Sequence, residues 1–297
     1  MNMDLVVQAP RNPKAGETLA GTGFKMIPGG KGANQAVAAS RAGANTHMVG
    51  YVGEDIFGRI LLDSLSDAGV NVERCQRLPE ISTGIANIVV EPNGENRIII
   101  VAGANGCVTM EMLENYWAYI RNSALVILQH EIPLLTIHTI IKRCAGENIP
   151  VLFNPAPFYP IPEEVAALVD IFVLNETEAG GLAEMVIDSV EAANKAARTL
   201  LKNEKQSVII TLGKDGAVLL NHSGSIYQPA FKVTAVDTTA AGDTFVGGYA
   251  ASRLEGKTAS ECLKYAVAAS ALAVTKLGAQ TSIPTRAEVE KFIQNQQ

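Results

Sequence analysis

The chain has 297 residues, 47% hydrophobic, with one Trp and a formal net charge of −6. That length fits one large α/β domain or two smaller ones, and the acidic balance argues against a general nucleic-acid partner while leaving room for a phosphorylated ligand held by local backbone amides. No apolar run is long enough to span a bilayer, the first residues lack a leader's basic and apolar regions, and Cys75, Cys107, Cys144 and Cys262 form no C-x-x-C pair, so the expectation is a cytoplasmic protein with free thiols, no membrane partner and no disulfide framework.

Taken in order, residues 4–7 are short and apolar, and Asn2 and Asp4 flank Met3. On a strand those two side chains share a side and can bind the hydroxyls of a polyol; a frayed terminus is the other reading. Pro10, Pro13 and Gly16 mark loops. Gly29-Gly30-Lys31-Gly32-Ala33-Asn34 turns into an Ala-rich helix that stops at Gly43. Its spacing is not that of a P-loop. Lys31 and Asn34 at the helix start are candidates for hydrogen bonds to a polyol; a glycine-rich turn carrying a solvated Lys is the alternative. Residues 46–52 read as a strand, followed by a helix ending near Gly69 and a β-like run over 70–77. Residues 83–91 and 97–102 predict a hairpin around 92–96.

From residue 109 strands and helices alternate. A helix is predicted over 110–121, strands at 124–128, 150–153, 171–174 and 207–212, and helices at 134–145 and 190–202. A strand-like run at 231–236 precedes helices over most of 242–277 and 286–294. Repeated βα units predict a single α/β domain over 1–297: a doubly wound, mostly parallel sheet with helices on both faces. A small β lid is expected from parts of 8–25 and 83–102. Such sheets bind ligands beyond the carboxyl ends of their strands, where Glu131, Asn154, Asn175, Glu178 and Asp243 fall.

The stretch 237–245, Asp-Thr-Thr-Ala-Ala-Gly-Asp-Thr-Phe, opens a small-residue helix. Ala240, Ala241 and Gly242 leave the backbone N–H groups of a helix start uncovered, which makes an anion hole. Asp243 beside that hole can take the proton from a hydroxyl that attacks a phosphoryl group. Asp is also a common helix cap, although a cap needs no pair of Ala and a Gly before it. Asn175 and Glu178 have capping-box spacing. Alone, Glu131 reads as a solvent-facing loop acid, Thr211-Leu212-Gly213-Lys214-Asp215-Gly216 as a β-turn, and Gly278 as a helix stop. The four His suggest no metal site, although His130 beside Glu131 is within reach of a ligand.

The strings Asp237-Thr238-Thr239-Ala240-Ala241-Gly242-Asp243 and Gly29-Gly30-Lys31-Gly32-Ala33-Asn34 resemble the two signatures of the ribokinase-like carbohydrate kinases, and the resemblance runs from Asn2 to the last helix. It implies transfer of the γ-phosphoryl of ATP to the 5-hydroxyl of D-ribose, with Asp243 as base and the amides of 240–243 holding the developing charge. It assigns Asn2, Asp4, Gly30, Lys31, Asn34 and Glu131 to the sugar, Asn175 and Glu178 to Mg²⁺ and the phosphates, and residues 211–216 to the nucleotide. A K⁺ site is implied at Asp237 and Thr239, completed by the carbonyls of Ala273, Lys276 and Gly278 and the side chain of Ser282. The family's lids pair subunits, so a homodimer is implied. Members also carry an inner strand ahead of the Asn-x-Asp pair. Three readings of this departure stand: a natural start further upstream, a shortened chain, or another segment in that strand's place. The first is preferred because every later motif is intact. The departure implies poor anchoring of Asn2 and Asp4 and leaves two alternatives open: a sugar-binding protein impaired in turnover, and a kinase for another sugar or a nucleoside.

Overall fold

Alternation of apolar side chains with period two sets the main sheet. In the computed structural model, which describes residues 1–93 and 95–296, Val208 and Ile210 enter one apolar layer while Ile209 between them enters another. Phe172 and Leu174 against Ile171 and Val173, and Val218 and Leu220 against Ala217 and Leu219, divide in the same way. A strand buried on both faces must be covered by helices on both.

The elements in chain order are β1 (Asn2–Gln8), β2 (Gly23–Gly29), α1 (Lys31–Arg41), β3 (His47–Gly53), α2 (Ile56–Asp67), β4 (Asn71–Leu78), β5 (Ile85–Val90), β6 (Asn96–Val101), α3 (Met110–Glu114), α4 (Trp117–Ile120), β7 (Val126–Gln129), α5 (Leu134–Gly146), β8 (Val151–Asn154), α6 (Glu163–Ala166), β9 (Ile171–Leu174), α7 (Glu176–Ala183), α8 (Val190–Leu200), β10 (Ser207–Thr211), β11 (Ala217–Asn221), β12 (Gly224–Gln228), α9 (Ala241–Leu254), α10 (Ala259–Ala273) and α11 (Arg286–Asn295). The main sheet has the order β12-β11-β10-β9-β8-β7. Its β7 to β10 portion is parallel and its β10-β11-β12 edge antiparallel. This is the doubly wound, mostly parallel α/β architecture that the alternation predicts.

The sheet expected to act as a lid is separate, of order β2-β1-β5-β6. It is built from 2–8 and 23–29 together with 85–90 and 96–101, whereas the expected 8–25 portion is mostly irregular over 9–22. The predicted hairpin is the β5–β6 pair, and Gly94 of its turn lies outside the described residues. β3 and β4 form a two-stranded parallel sheet of their own. Among the described residues β3 pairs only with β4, and β7 only with β8.

Two local expectations are corrected. The helix over 110–121 breaks into α3 and α4, because Tyr116 leaves helical geometry (φ −115°, ψ 0°), packs against the core and meets Gln76 through its hydroxyl. Residues 231–236 form no strand; the Val236 N–H donates to the Val274 carbonyl at 2.7 Å, and Phe231 stacks edge-on with Phe292. The β11–β12 hairpin and α6 carried no separate expectation. No helix among the described residues is long and apolar enough to cross a membrane.

The contact that matters most for the site is α1 against α9. Gly247 of α9 meets the α1 backbone so closely that an added Cβ would sit 2.5 Å from Ala39 N, 2.5 Å from Ala38 Cβ and 2.7 Å from the Gln35 carbonyl. Two small-residue helices thereby approach to backbone contact. Gly247→Ala gains up to about 1 kcal/mol of helix propensity but forces backbone apart in a packed interior, which costs about 1–3 kcal/mol. Urea unfolding should show a net loss of stability together with reduced activity; an unchanged or raised midpoint contradicts the close packing.

Candidate active site

The N-terminus of α9 is built to stay open. Ala240 occupies its cap position in the left-handed region (φ 59°) and supplies no side-chain hydrogen bond. A non-glycine residue held there costs about 1–3 kcal/mol. The Ala241 N–H donates to the Thr238 carbonyl at 3.2 Å, while the N–H groups of Gly242 and Asp243 have no acceptor among the described residues. Of the expected hole over 240–243 only the Ala241 N–H is taken up; the Ala240 N–H, like those of Gly242 and Asp243, has no acceptor among the described residues. These residues border a cavity of about 230 Å³ that also takes in Lys31, Asn154, Asn175, Glu178, Thr211 and Thr238.

Asp243 is not the helix cap. Its Oδ2 accepts from Asn34 Nδ2 and its Oδ1 from Gln35 Nε2, both at 2.9 Å. The side chain is 7% exposed. α1 thus brings its first residues onto the base candidate. Gly30 at the α1 cap position has φ +89°, and a Cβ there would meet Asn2 N at 2.7 Å, so only glycine lets the turn pass β1. A Cβ on Gly29 would collide with the Asp4 carboxylate.

Beyond Lys31 lies a polar cluster. The Lys31 N–H donates to Glu131 Oε2 at 2.8 Å. Asn2 and Asp4 lie on β1, which β2 flanks on one side and β5 on the other. Asn2 is buried, and its Oδ1 accepts from Asn105 Nδ2 at 2.8 Å. The Asn105 amide also holds Met1, accepting from its ammonium at 3.1 Å and donating to its carbonyl at 2.9 Å. Asn2 and Asp4 are therefore anchored, contrary to expectation. Among the described residues Asn34 Oδ1 is buried with no partner. Burial raises the Glu131 carboxyl above its ordinary value, opposed by the Met1 ammonium and Lys31. Burial and then the Glu131 charge push Asp4 up to about 7.

On the other side of Asp243, Asn175 and Glu178 form a full capping box on α7. Asn175 Oδ1 accepts from the Glu178 N–H at 2.8 Å, and Glu178 Oε2 accepts from the Asn175 N–H at 3.0 Å. Structural cap and cavity wall are here the same pair. Glu178 is 7% exposed, and burial raises its carboxyl. Thr211 reaches the cavity, Leu212 is buried, and Gly213-Lys214-Asp215 form a 3₁₀ turn with Lys214 and Asp215 exposed. Gly216 (φ +101°) is wedged against Gln228 and Pro229, where a Cβ would collide.

The segments proposed for a monovalent cation are joined behind the hole. Asp237 Oδ2 accepts from the Gly278 N–H at 2.9 Å, and its Oδ1 from Thr239 N at 2.9 Å and Oγ1 at 2.6 Å. Burial alone would raise the Asp237 carboxyl, but these bonds outweigh it and hold it below its ordinary value. The Ala273 carbonyl accepts from the Lys276 N–H at 3.1 Å, Lys276 Nζ pairs with Glu288, and Ser282 Oγ donates to the Ala279 carbonyl at 2.8 Å. Among the described residues no group of three His, Cys, Asp or Glu could hold a metal.

His130 does not join the site. It is 4% exposed, its Nδ1 lies 3.1 Å from the Pro157 carbonyl, and its ring sits edge-on to Phe153. Gln35, Gln129 and Asn105 were not singled out from the sequence. Gln35 follows Asn34 in the glycine-rich signature, and a Gln inside an Ala-rich helix was the available signal. Asn105 lies in an unremarkable Gly-Ala-Asn-Gly run and offered none.

Asp4 gives the cluster a pH signature. The folded state retains its proton where the unfolded chain has lost it, so stability falls as pH rises from the ordinary 3.8 through about 7. Asp4→Asn should flatten urea-unfolding stability across that window and make the protein relatively more stable above it. A variant with the parent's slope contradicts the burial of this carboxyl.

With this geometry in hand, comparison with known proteins places the chain. The profile of the "pfkB family carbohydrate kinase" matches residues 1–286. The ribokinase of Bacillus subtilis is 39% identical over 293 residues, covering 98% of this chain and 96% of that protein. A deoxyribokinase of Salmonella typhi is 35% identical over 292 residues, covering 98% and 95%. The structure of Arabidopsis thaliana ribokinase complexed with ribose and ATP superposes with a TM-score of 0.90 at 34% identity, covering 98% of this chain and 96% of that one. A lone Asp at an uncapped helix start, two amides from a glycine-rich turn on its carboxylate, and these full-length similarities agree: the chain belongs to the pfkB family of carbohydrate kinases.

Proposed function

We propose that the chain is an ATP-dependent ribokinase that phosphorylates the 5-hydroxyl of D-ribose, giving D-ribose 5-phosphate and ADP. The observation that carries this reading is Asp243. It sits at the open start of α9, held by Asn34 and Gln35, between a cavity lined by Lys31 and Glu178 and a polar cluster of Asn2, Asp4 and Glu131. The cluster suits a polyol: carboxylates accept from hydroxyls, and the orphaned Asn34 Oδ1 gains a donor when a hydroxyl arrives. The density of such groups favours ribose over a sugar with fewer hydroxyls.

In the reaction, Asp243 accepts the proton of the 5-hydroxyl as its oxygen bonds to the γ-phosphorus. The bond from phosphorus to the β-phosphate oxygen breaks, and ADP leaves with that electron pair. The unpaired N–H groups of Gly242 and Asp243 and the Lys31 ammonium face the charge on the transferring group. Residues 211–216 border the nucleotide. Glu178, with Asn175, would hold Mg²⁺ largely through water, which suits a cation that keeps part of its hydration shell; bound there, it neutralises phosphate charge. Asp237, Thr239, Ala273, Lys276, Gly278 and Ser282 offer an oxygen donor set for K⁺, whose charge would reinforce the anion hole.

The lid supports a homodimer. Ile98, Ile99, Ile100 and Val101 on the edge strand β6, with Phe24 and Met26 on β2, are exposed apolar side chains that a second lid would cover; sedimentation velocity checks the mass. Four free cysteines are in keeping with a cytoplasmic setting.

Asp243→Asn tests the reading. It keeps the shape and the hole but cannot take a proton, so ribose-dependent ADP release should fall about 10²–10⁴-fold while calorimetric binding of ATP persists. Turnover equal to the parent's sinks Asp243 as the base.

A further inference from the structure

We infer that Gln35 is a positioning residue for Asp243, oriented by a chain of amides drawn from α1, β7 and β8. The inference rests on Asp243 being the base. Gln35 is 1% exposed. Its Nε2 donates to Asn154 Oδ1 at 3.0 Å and to Asp243 Oδ1 at 2.9 Å. Its Oε1 accepts from Gln129 Nε2 at 2.7 Å. Asn154 Nδ2 donates to the Val173 carbonyl at 2.9 Å.

The direction of every amide follows from the last of these bonds. A backbone carbonyl only accepts, so Asn154 turns its NH₂ to Val173 and its oxygen to Gln35. That oxygen also only accepts, so Gln35 turns its NH₂ to Asn154, and the same NH₂ serves Asp243 Oδ1. The Gln35 oxygen is then left for Gln129. A flip at any link sets oxygen against oxygen in a buried site, where an unmet polar group is costly. Asn34 tethers the other carboxylate oxygen at 2.9 Å. With both oxygens held, Asp243 cannot rotate away from a hydroxyl at the cavity. The same contacts could instead serve only to satisfy a Gln buried between helix and sheet; that role predicts lost stability but no change in the pH dependence of turnover.

The test is steady-state turnover with Mg²⁺-ATP and D-ribose across pH, with urea unfolding of the same samples. Gln35→Glu keeps the side chain's size. Ionised, the introduced carboxyl sets a negative charge against Asp243 and the Asn154 oxygen; protonated, it loses that charge and can donate one bond, to Asp243, where the amide donated two. Its kcat relative to the parent should fall about 10–100-fold near pH 8 and recover toward the parent as pH drops to about 6, with the KM for ATP within about threefold. Gln35→Leu should lose kcat at every pH, and Gln129→Leu should lose less. Adding Gln129→Leu to Gln35→Leu should cost nothing further, since one chain of bonds is already cut. A Gln35→Glu pH profile parallel to the parent's overturns the positioning role, as does a folded Gln35→Leu with the parent's kcat. If Gln35→Leu does not fold, the pH ratio of Gln35→Glu decides. Asp243→Asn separates the two claims. Inactive Asp243→Asn beside unaffected Gln35 variants overturns positioning alone; active Asp243→Asn overturns the base assignment and the positioning role with it.

Discussion

Everything in this site depends on two helices touching through backbone. Gly247 and the alanines of α1 remove the side chains that would hold α1 and α9 apart. Residues one turn further along then meet: Asn34 and Gln35 reach the Asp243 carboxylate. The cluster proposed for the sugar draws on β1, β2 and the start of α1, and the cavity proposed for the phosphates on α9 and the strand ends of the main sheet. The α1–α9 contact fastens one to the other. In this fold a small-residue stripe therefore fixes the distance between the polar cluster and the cavity.

The site also accepts local costs that a stability-driven sequence would avoid. Ala240 stands in left-handed geometry where glycine is easier, and α9 begins without a side-chain cap. Asp4, Glu131 and Glu178 lie in surroundings that raise their carboxyls. Each feature costs the fold stability and, on the proposed reading, is offset when a ligand binds. Uncapped amides await an anion, crowded carboxylates await hydroxyl donors or a cation, and Asn34 Oδ1 awaits a partner. By contrast, α2, α8, α10 and α11, away from the cavity, all carry ordinary Asp, Ser or Thr caps.

Much of this was legible in the sequence because it is local. The βα alternation, the glycine-rich entry to α1 and the Ala-Ala-Gly-Asp start of α9 are short-range patterns with definite geometry. Residues 110–121 misled because the helical pattern continues through Tyr116, whose exit from the helix is decided by a tertiary contact. Residues 231–236 read as a strand, yet no strand of the main sheet takes them up and they bind to the end of α10 instead. Asn175 and Glu178 were ambiguous between cap and ligand site; they form a full capping box that also lines the cavity. Gln35, Gln129 and Asn105 could not be ranked from sequence, since their roles exist only when elements distant in the chain meet. The anchoring of Asn2 is likewise tertiary, resting on Asn105 and on strands either side of β1.

The most direct test of the account is the product made by this chain from Mg²⁺-ATP and D-ribose with K⁺ present, followed by ³¹P and ¹³C NMR. The juxtaposition of an open helix start, Asp243 and a polyol cluster predicts ribose-dependent ADP formation with phosphate on the 5-carbon alone. ADP formation that does not depend on ribose, phosphate at another carbon, or no transfer by a folded protein that binds both ligands would contradict it.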